Sequence, residues 1–209
     1  MDRNSQIVEK SNVKTYMVEK DLVKEGILDV ASVFFSKFGF KKTTIDEIAQ
    51  AAHKGKSSVY YYFTSKEEIF KAVLEKEAAV LIEKLMLVIN KKTSAEEKFR
   101  EYIQVRLFSI KELVNFYTAI MSEVPSHLDF AAEMRNQYDI DEIRLIKIIL
   151  NEGSEAGVFR FRNIEDTAAA ITTVMKGLEL PIYLFKREND LEKKIAQMTD
   201  LILYGIVKN

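Results

Sequence analysis

Between Thr43 and Lys66 the chain reads TTIDEIAQAAHKGKSSVYYYFTSK, a crowd of lysines, hydroxyls and tyrosines at close spacing. Side chains of these types donate to phosphate oxygens and to the edges of bases. Lys56 is the leading candidate for base contact, because an ammonium there can donate to the O6 and N7 of guanine. Ser57 and Tyr61 share its face and are placed to touch base edges or a thymine methyl. Such contacts need a scaffold that carries one short helix into a groove.

The same stretch supplies that scaffold. Thr44 followed by Glu47 is a capping box, so a helix is expected from Ile45, with Ile48, Ala49 and Ala52 on one apolar face. The break falls at His53-Lys54-Gly55, where Gly55 needs no side-chain clearance and His tolerates a left-handed backbone better than most residues. Lys56 to Phe63 forms a second short helix, and Ser65 with Glu68 is a further capping box that starts a third near Lys66. Helix, tight turn and helix is the unit that sets its second helix in a DNA major groove. One tyrosine of the run is expected to be mostly buried, and Tyr60, beside Val59, is the first candidate.

Residues Ile27 to about Leu74 resemble the DNA-binding domain of TetR-family transcriptional regulators. Phe34-Phe35-Ser36-Lys37-Phe38-Gly39-Phe40 matches the end of that domain's first helix, Thr43-Thr44-Ile45-Asp46-Glu47-Ile48-Ala49 the second, and Lys56 to Phe63 with Ser65-Lys66-Glu67-Glu68 the third and the start of the fourth. The resemblance implies phosphate contacts at Thr44, Ser58, Tyr60, Tyr62 and Lys66, the last helped by its place at a helix N-terminus. The family usually has Gly and then a small apolar residue in the turn, where this chain has His53 and Lys54. A slightly reshaped turn is expected.

Composition sets limits around this reader. The 209 residues carry a net charge of −1, so DNA affinity must come from a local patch rather than a basic coat. Cysteine is absent, which excludes disulfides, thiolate metal sites and cysteine nucleophiles. The only histidines are His53 and His127. Glu123 and His127 have the spacing of helical metal ligands, but Pro125 lies between them and no second histidine is near. No metal, no cofactor and no enzymatic activity are expected. No apolar run reaches the length of a signal-peptide core or a membrane span, which predicts a cytoplasmic location and no membrane partner.

The rest of the chain reads as helix, so the fold class is all-α: an N-terminal three-helix helix-turn-helix domain joined by a long helix to a C-terminal helical bundle. The expected divisions are 1–20 as an N-terminal arm, a tail or an extension of the first helix, 21–66 as the DNA-binding domain, and 67–209 as the ligand-binding and dimerisation domain. Val23, Ile27, Ala31, Phe34 and Phe38 mark a first helix over the reader pair. The pattern from Ile69 to Leu85 runs without a breaker to about Asn90, a rod that transmits displacement. Ser94 with Glu97 caps the next helix. Another follows from Leu113 to Met121, closed by Pro125, and Leu128 to about Ala156 makes one long helix, or two with a break near Asp139, with a stop at Gly157. Asn163 with Asp166 opens a helix kinked at Pro181, and Leu191 to Gly205 makes the last.

The resemblance implies a homodimer paired through those last two helices, with Ala168, Ile171, Leu178, Ile182, Leu191, Ile195, Met198 and Ile202 at the interface. A two-fold dimer also fits a palindromic double-stranded operator, whose half-sites lie about one helical turn apart. The same apolar stripe would equally serve the chain's own core. A small-molecule pocket is implied too, with Tyr102, Phe116, Tyr117, Met121, Met134, Tyr138 and Met175 as lining and Arg106 or Glu179 as polar anchor. Together these describe a dimeric repressor released from its operator by a small apolar or aromatic effector. The alternative is a DNA-binding adaptor controlled by a protein partner, without a ligand.

Overall fold

The computed structural model describes residues 3–109, 112, 113, 115, 129–185 and 188–206. Of these, the side chains of 3–21, 129–132, 134, 135, 180, 181, 183–185, 188–191 and 206 stay outside the description. Of the helix expected over Leu113 to Met121 only Leu113 and Asn115 are described; Phe116, Tyr117, Met121, Glu123, Pro125 and His127 lie outside the described residues, as do the side chains of Met134 and Leu191. The described residues form eight helices: α1 (Arg3–Lys42), α2 (Ile45–Ala51), α3 (Lys56–Tyr62), α4 (Lys66–Ile89), α5 (Ala95–Phe108), α6 (Asp129–Glu155), α7 (Ile164–Phe185) and α8 (Glu188–Ile206). The all-α class is therefore what the chain has. No described helix is long and apolar enough to cross a membrane.

Two compact units divide the chain, Met1–Leu74 and Glu75–Asn209. In the first, α1 is helical from Arg3, and the backbone breaks at Gly39 with φ 79° and ψ 161°. A side chain at that positive φ would be strained, so glycine suits the bend. Buried Thr43 closes this end: its hydroxyl donates to the Gly39 oxygen at 2.9 Å and its N–H to the same atom at 3.3 Å. The bend folds Phe40 back against Phe35 and Phe70, its ring centroid 5.9 and 5.0 Å from theirs, which stand 4.8 Å from each other. Ile27, Leu28, Ala31 and Phe35 form the buried face of α1. Phe38, expected on that face, is 46% exposed, because the bend at Gly39 gives the inward place to Phe40.

In the second unit α5 packs against α6, α7 and α8. Its start follows the cap expected from sequence: Ser94 Oγ accepts the Glu97 N–H, and the Glu97 carboxylate accepts the Ser94 N–H, both at 3.2 Å. Phe99, Tyr102, Ile103 and Leu107 are fully buried on its inner face. Gly157, with φ 72°, follows the end of α6, and Asn163 caps α7 by accepting the Asp166 N–H at 3.0 Å. Helix α7 continues through position 181 to Phe185.

Candidate nucleic-acid interface

Helix α2 begins where the local signals put it. Thr44 Oγ1 accepts the Glu47 N–H at 3.3 Å, and the Glu47 carboxylate accepts the Thr44 N–H at 2.9 Å and its hydroxyl at 2.7 Å. These bonds hold the Glu47 carboxyl below the usual carboxylate range, the hydroxyl bond contributing most. The Thr44 hydroxyl is therefore engaged in its own cap.

The turn is a Schellman closure. The Lys54 N–H reaches back to the Ala49 oxygen at 2.9 Å and the His53 N–H to the Gln50 oxygen at 3.1 Å. His53 carries the left-handed backbone, φ 53°. Gly55 does not: at φ −69° and ψ 150° it is the extended N-cap of α3, and a Cβ there would meet only Ser57 Oγ at 3.7 Å. The left-handed residue is thus His53, as its tolerance of that backbone led one to expect, and Gly55 serves as the N-cap of α3.

Val59 and Phe63, four apart, take the inward positions of the reading segment and are buried. Lys56 and Ser57 are exposed, Tyr60 and Tyr61 are 45% and 59% exposed, and Ser58 and Tyr62 are half-buried. Tyr60 is therefore not the buried ring; it lies one residue round from Val59, while Tyr62, three residues on, packs edge-on to Tyr61 at 5.0 Å. Lys56 Nζ pairs with Asp46 on α2 at 2.9 Å, and this bond raises the lysine's pKa.

Lys66 departs from the phosphate role. Its ammonium turns into the unit, donating to the main-chain oxygens of Phe40 at 2.9 Å and Thr43 at 3.0 Å, 4.4 Å from the centre of the Phe40 ring. The cap of α4 also differs from a reciprocal box. Ser65 Oγ accepts the Glu68 N–H at 3.2 Å, but the Glu68 carboxylate takes the N–H and hydroxyl of Thr64.

In the second unit the residues placed around a pocket are brought together only in part. Tyr102, Arg106, Tyr138, Met175 and Glu179 are all buried. The Arg106 guanidinium joins three helices by ion pairs to Glu142 on α6 and Glu179 on α7, and stands 5.0 Å from the centre of the Tyr138 ring. Burial, and then the Glu142 carboxylate, push the Tyr102 phenol well above its ordinary value. Its hydroxyl has no hydrogen-bond partner among the described residues. Sequence reasoning missed Glu142; its signal is a carboxylate one turn from Tyr138 and Ile146 on the buried stripe of α6.

The residues assigned to self-association divide by burial. Ala168, Ile171 and Ile195 belong to the unit's own core, which corrects their assignment to a surface between copies. Leu178, Ile182, Met198 and Ile202 are half-buried. The outward face instead carries Val174, Leu201 and Tyr204, at 46%, 75% and 78% exposure. The regular stripe chosen from sequence was the inward one.

Residues 27–73 match the family described as bacterial regulatory proteins, tetR family. The HTH-type transcriptional regulator QacR of Staphylococcus aureus is 24% identical over 195 residues, which cover 89% of this chain and 99% of that protein. IcaR of Staphylococcus aureus, the negative transcriptional regulator of the biofilm operon icaADBC, is 30% identical over 90 residues, 43% of this chain. That match spans 48% of the length of IcaR. A crystal structure of a transcriptional regulator from Cytophaga hutchinsonii, 25% identical, superposes with a TM-score of 0.73 over 88% of this chain and 98% of its own. With a short helix held by a capped, Schellman-closed turn, residues 27–73 form a DNA-binding domain of the tetR family, and the chain over most of its length is similar to transcriptional regulators.

Proposed function

We propose that this regulator is a homodimeric repressor that binds a palindromic operator through α3 of each copy and is released by a small-molecule effector. The observation that carries the reading is the exposed face of α3, on which Lys56, Ser57 and Tyr61 lie while Val59 and Phe63 anchor the helix behind them. Lys56, Ser57 and Tyr61 contact base edges, and Ser58, Tyr60 and Tyr62 contact phosphate; Thr44, whose N–H and hydroxyl both donate to Glu47, is left to its cap. Repression is favoured by the likeness to IcaR, a negative regulator by name.

Self-association goes to the outward faces of α7 and α8, where Val174, Leu201 and Tyr204 offer apolar surface flanked by half-buried Leu178 and Ile202. The effector binds in the Glu75–Asn209 unit with its polar group near Arg106, Glu142 and Glu179, beside a desolvated Tyr102 hydroxyl that has no hydrogen-bond partner among the described residues. Helix α4, which begins in one unit and ends in the other, carries the change to the reader. A thousandfold loss of operator affinity requires about 4 kcal/mol of differential effector affinity between the two states.

Stoichiometry and sedimentation test this reading. Two chains are expected per duplex on a palindromic site. The double variant Leu201→Glu with Tyr204→Glu is expected to sediment as a folded monomer that loses most operator affinity. A wild-type monomer that binds one per duplex contradicts the dimer.

A further inference from the structure

Lys56 is the first residue of α3 and Asp46 the second of α2, and their side chains meet across the turn. Nζ lies 2.9 Å from Oδ1 and 3.0 Å from Oδ2, with 55% of the lysine side chain and 65% of the aspartate exposed. In a helix-turn-helix, residues at the start of the second helix face base edges while the first helix crosses the backbone. Bases and phosphates are thus both within reach of this pair.

An ammonium has three N–H donors. Facing both oxygens of Asp46, it keeps donor capacity for a further acceptor. A lysine with no partner gives that capacity to any phosphate, a contact that carries no sequence information. Beside Asp46 the two acceptors are no longer equivalent: a phosphate approaching Nζ also approaches a carboxylate of like charge, whereas guanine O6 and N7 are neutral. Disfavouring the wrong partner by repulsion is a recognised route to specificity. Glu47 cannot take over this role, because its carboxylate is committed to Thr44.

We propose that Asp46 is a specificity-determining positioning residue, which holds the Lys56 ammonium toward base edges and penalises phosphate at the same place. The inference rests on Lys56 reading a base. Its consequence is that Asp46 weakens binding to unrelated DNA more than binding to the operator.

The test titrates the full-length protein, over a range of NaCl concentrations, against a labelled duplex that it retains from a random pool and a shuffled duplex of equal composition. Asp46→Asn is expected to bind the shuffled duplex about three- to fivefold more tightly and to lose selectivity by the same factor. Its log–log salt slope on that duplex should steepen by about 0.9 for each phosphate the released ammonium takes. Asp46→Glu should keep wild-type selectivity. Asp46→Asn should cause no further loss of selectivity in a Lys56→Ala background.

An equal change on both duplexes would overturn the proposal, because it would mean that only a negative charge had been removed. A gain of Asp46→Asn that persists without Lys56 would overturn it for the same reason. If Lys56→Ala reduces selectivity and Asp46→Asn does not, the proposal fails and the base-reading role of Lys56 stands. If Lys56→Ala leaves selectivity unchanged, the base-reading role fails and takes the proposal with it.

Discussion

The ammonium of Lys66, in the first turn of α4, donates to the main-chain oxygen of Thr43, 3.0 Å away beside the cap of α2. A second bond to the Phe40 oxygen ties the same nitrogen to the bent end of α1. One side chain thus fixes three helix ends of the reader. Lys66→Met keeps the stem and removes the donors, so it is expected to destabilise the protein by about 1–2 kcal/mol in urea denaturation. Its log–log salt slope for DNA should match wild type, whereas a lost phosphate contact would flatten it by about 0.9.

His53 bears a backbone conformation that glycine adopts without strain. His53→Gly is expected to raise the urea midpoint, with a gain of about 0.5–1 kcal/mol after the added freedom of the unfolded chain is offset. Operator affinity should not fall, because the Schellman bonds from His53 and Lys54 are main-chain bonds and survive the change. A lower midpoint would show that the imidazole contributes more than the left-handed backbone costs.

Gly153 on α6 leaves no room for a methyl group. A Cβ there would stand 2.0 Å from the ring of Phe159, which is itself buried and packed edge-on to Phe99. Gly153→Ala is expected to cost about 1–3 kcal/mol through overpacking. Adding Phe159→Leu should cost less in that background than in wild type, and a double-mutant cycle measures the difference.

The buried Tyr102 phenol gives a dependence on alkaline pH. Its folded pKa is raised well above the unfolded value, so its contribution to stability is complete below about pH 10 and is lost as pH rises beyond it. Tyr102→Phe should flatten that decline. Because the hydroxyl has no hydrogen-bond partner among the described residues, the variant should be no less stable than wild type at neutral pH. A clear loss of stability there would reveal a partner for the hydroxyl.

Helix starts were legible because their signals are local. Thr44 with Glu47 and Ser94 with Glu97 each fix a first turn through groups three residues apart, and both boxes form. Ser65 with Glu68 formed only half of its box, since Thr64 offers the same carboxylate both an N–H and a hydroxyl. Periodicity was less informative about partners. It identified Ala168, Ile171 and Ile195 as positions to be covered, but an apolar stripe does not say whether its own core or a second copy covers it. Phe38 kept the helical spacing of a core residue and lost that place to Phe40 when the chain bent at Gly39. Asp46 against Lys56, and Glu142 against Arg106, lie 10 and 36 residues apart, and only the fold brings them together.

Selection from a pool of random duplexes, with wild type and Lys56→Ala side by side, tests the central claim most directly. Wild type is expected to enrich one palindrome whose half-sites lie about one helical turn apart, and Lys56→Ala to bind it with relaxed preference at one position in each half. Retention of DNA with no enriched sequence, falling steeply with salt and unchanged in the variant, would contradict sequence reading by α3.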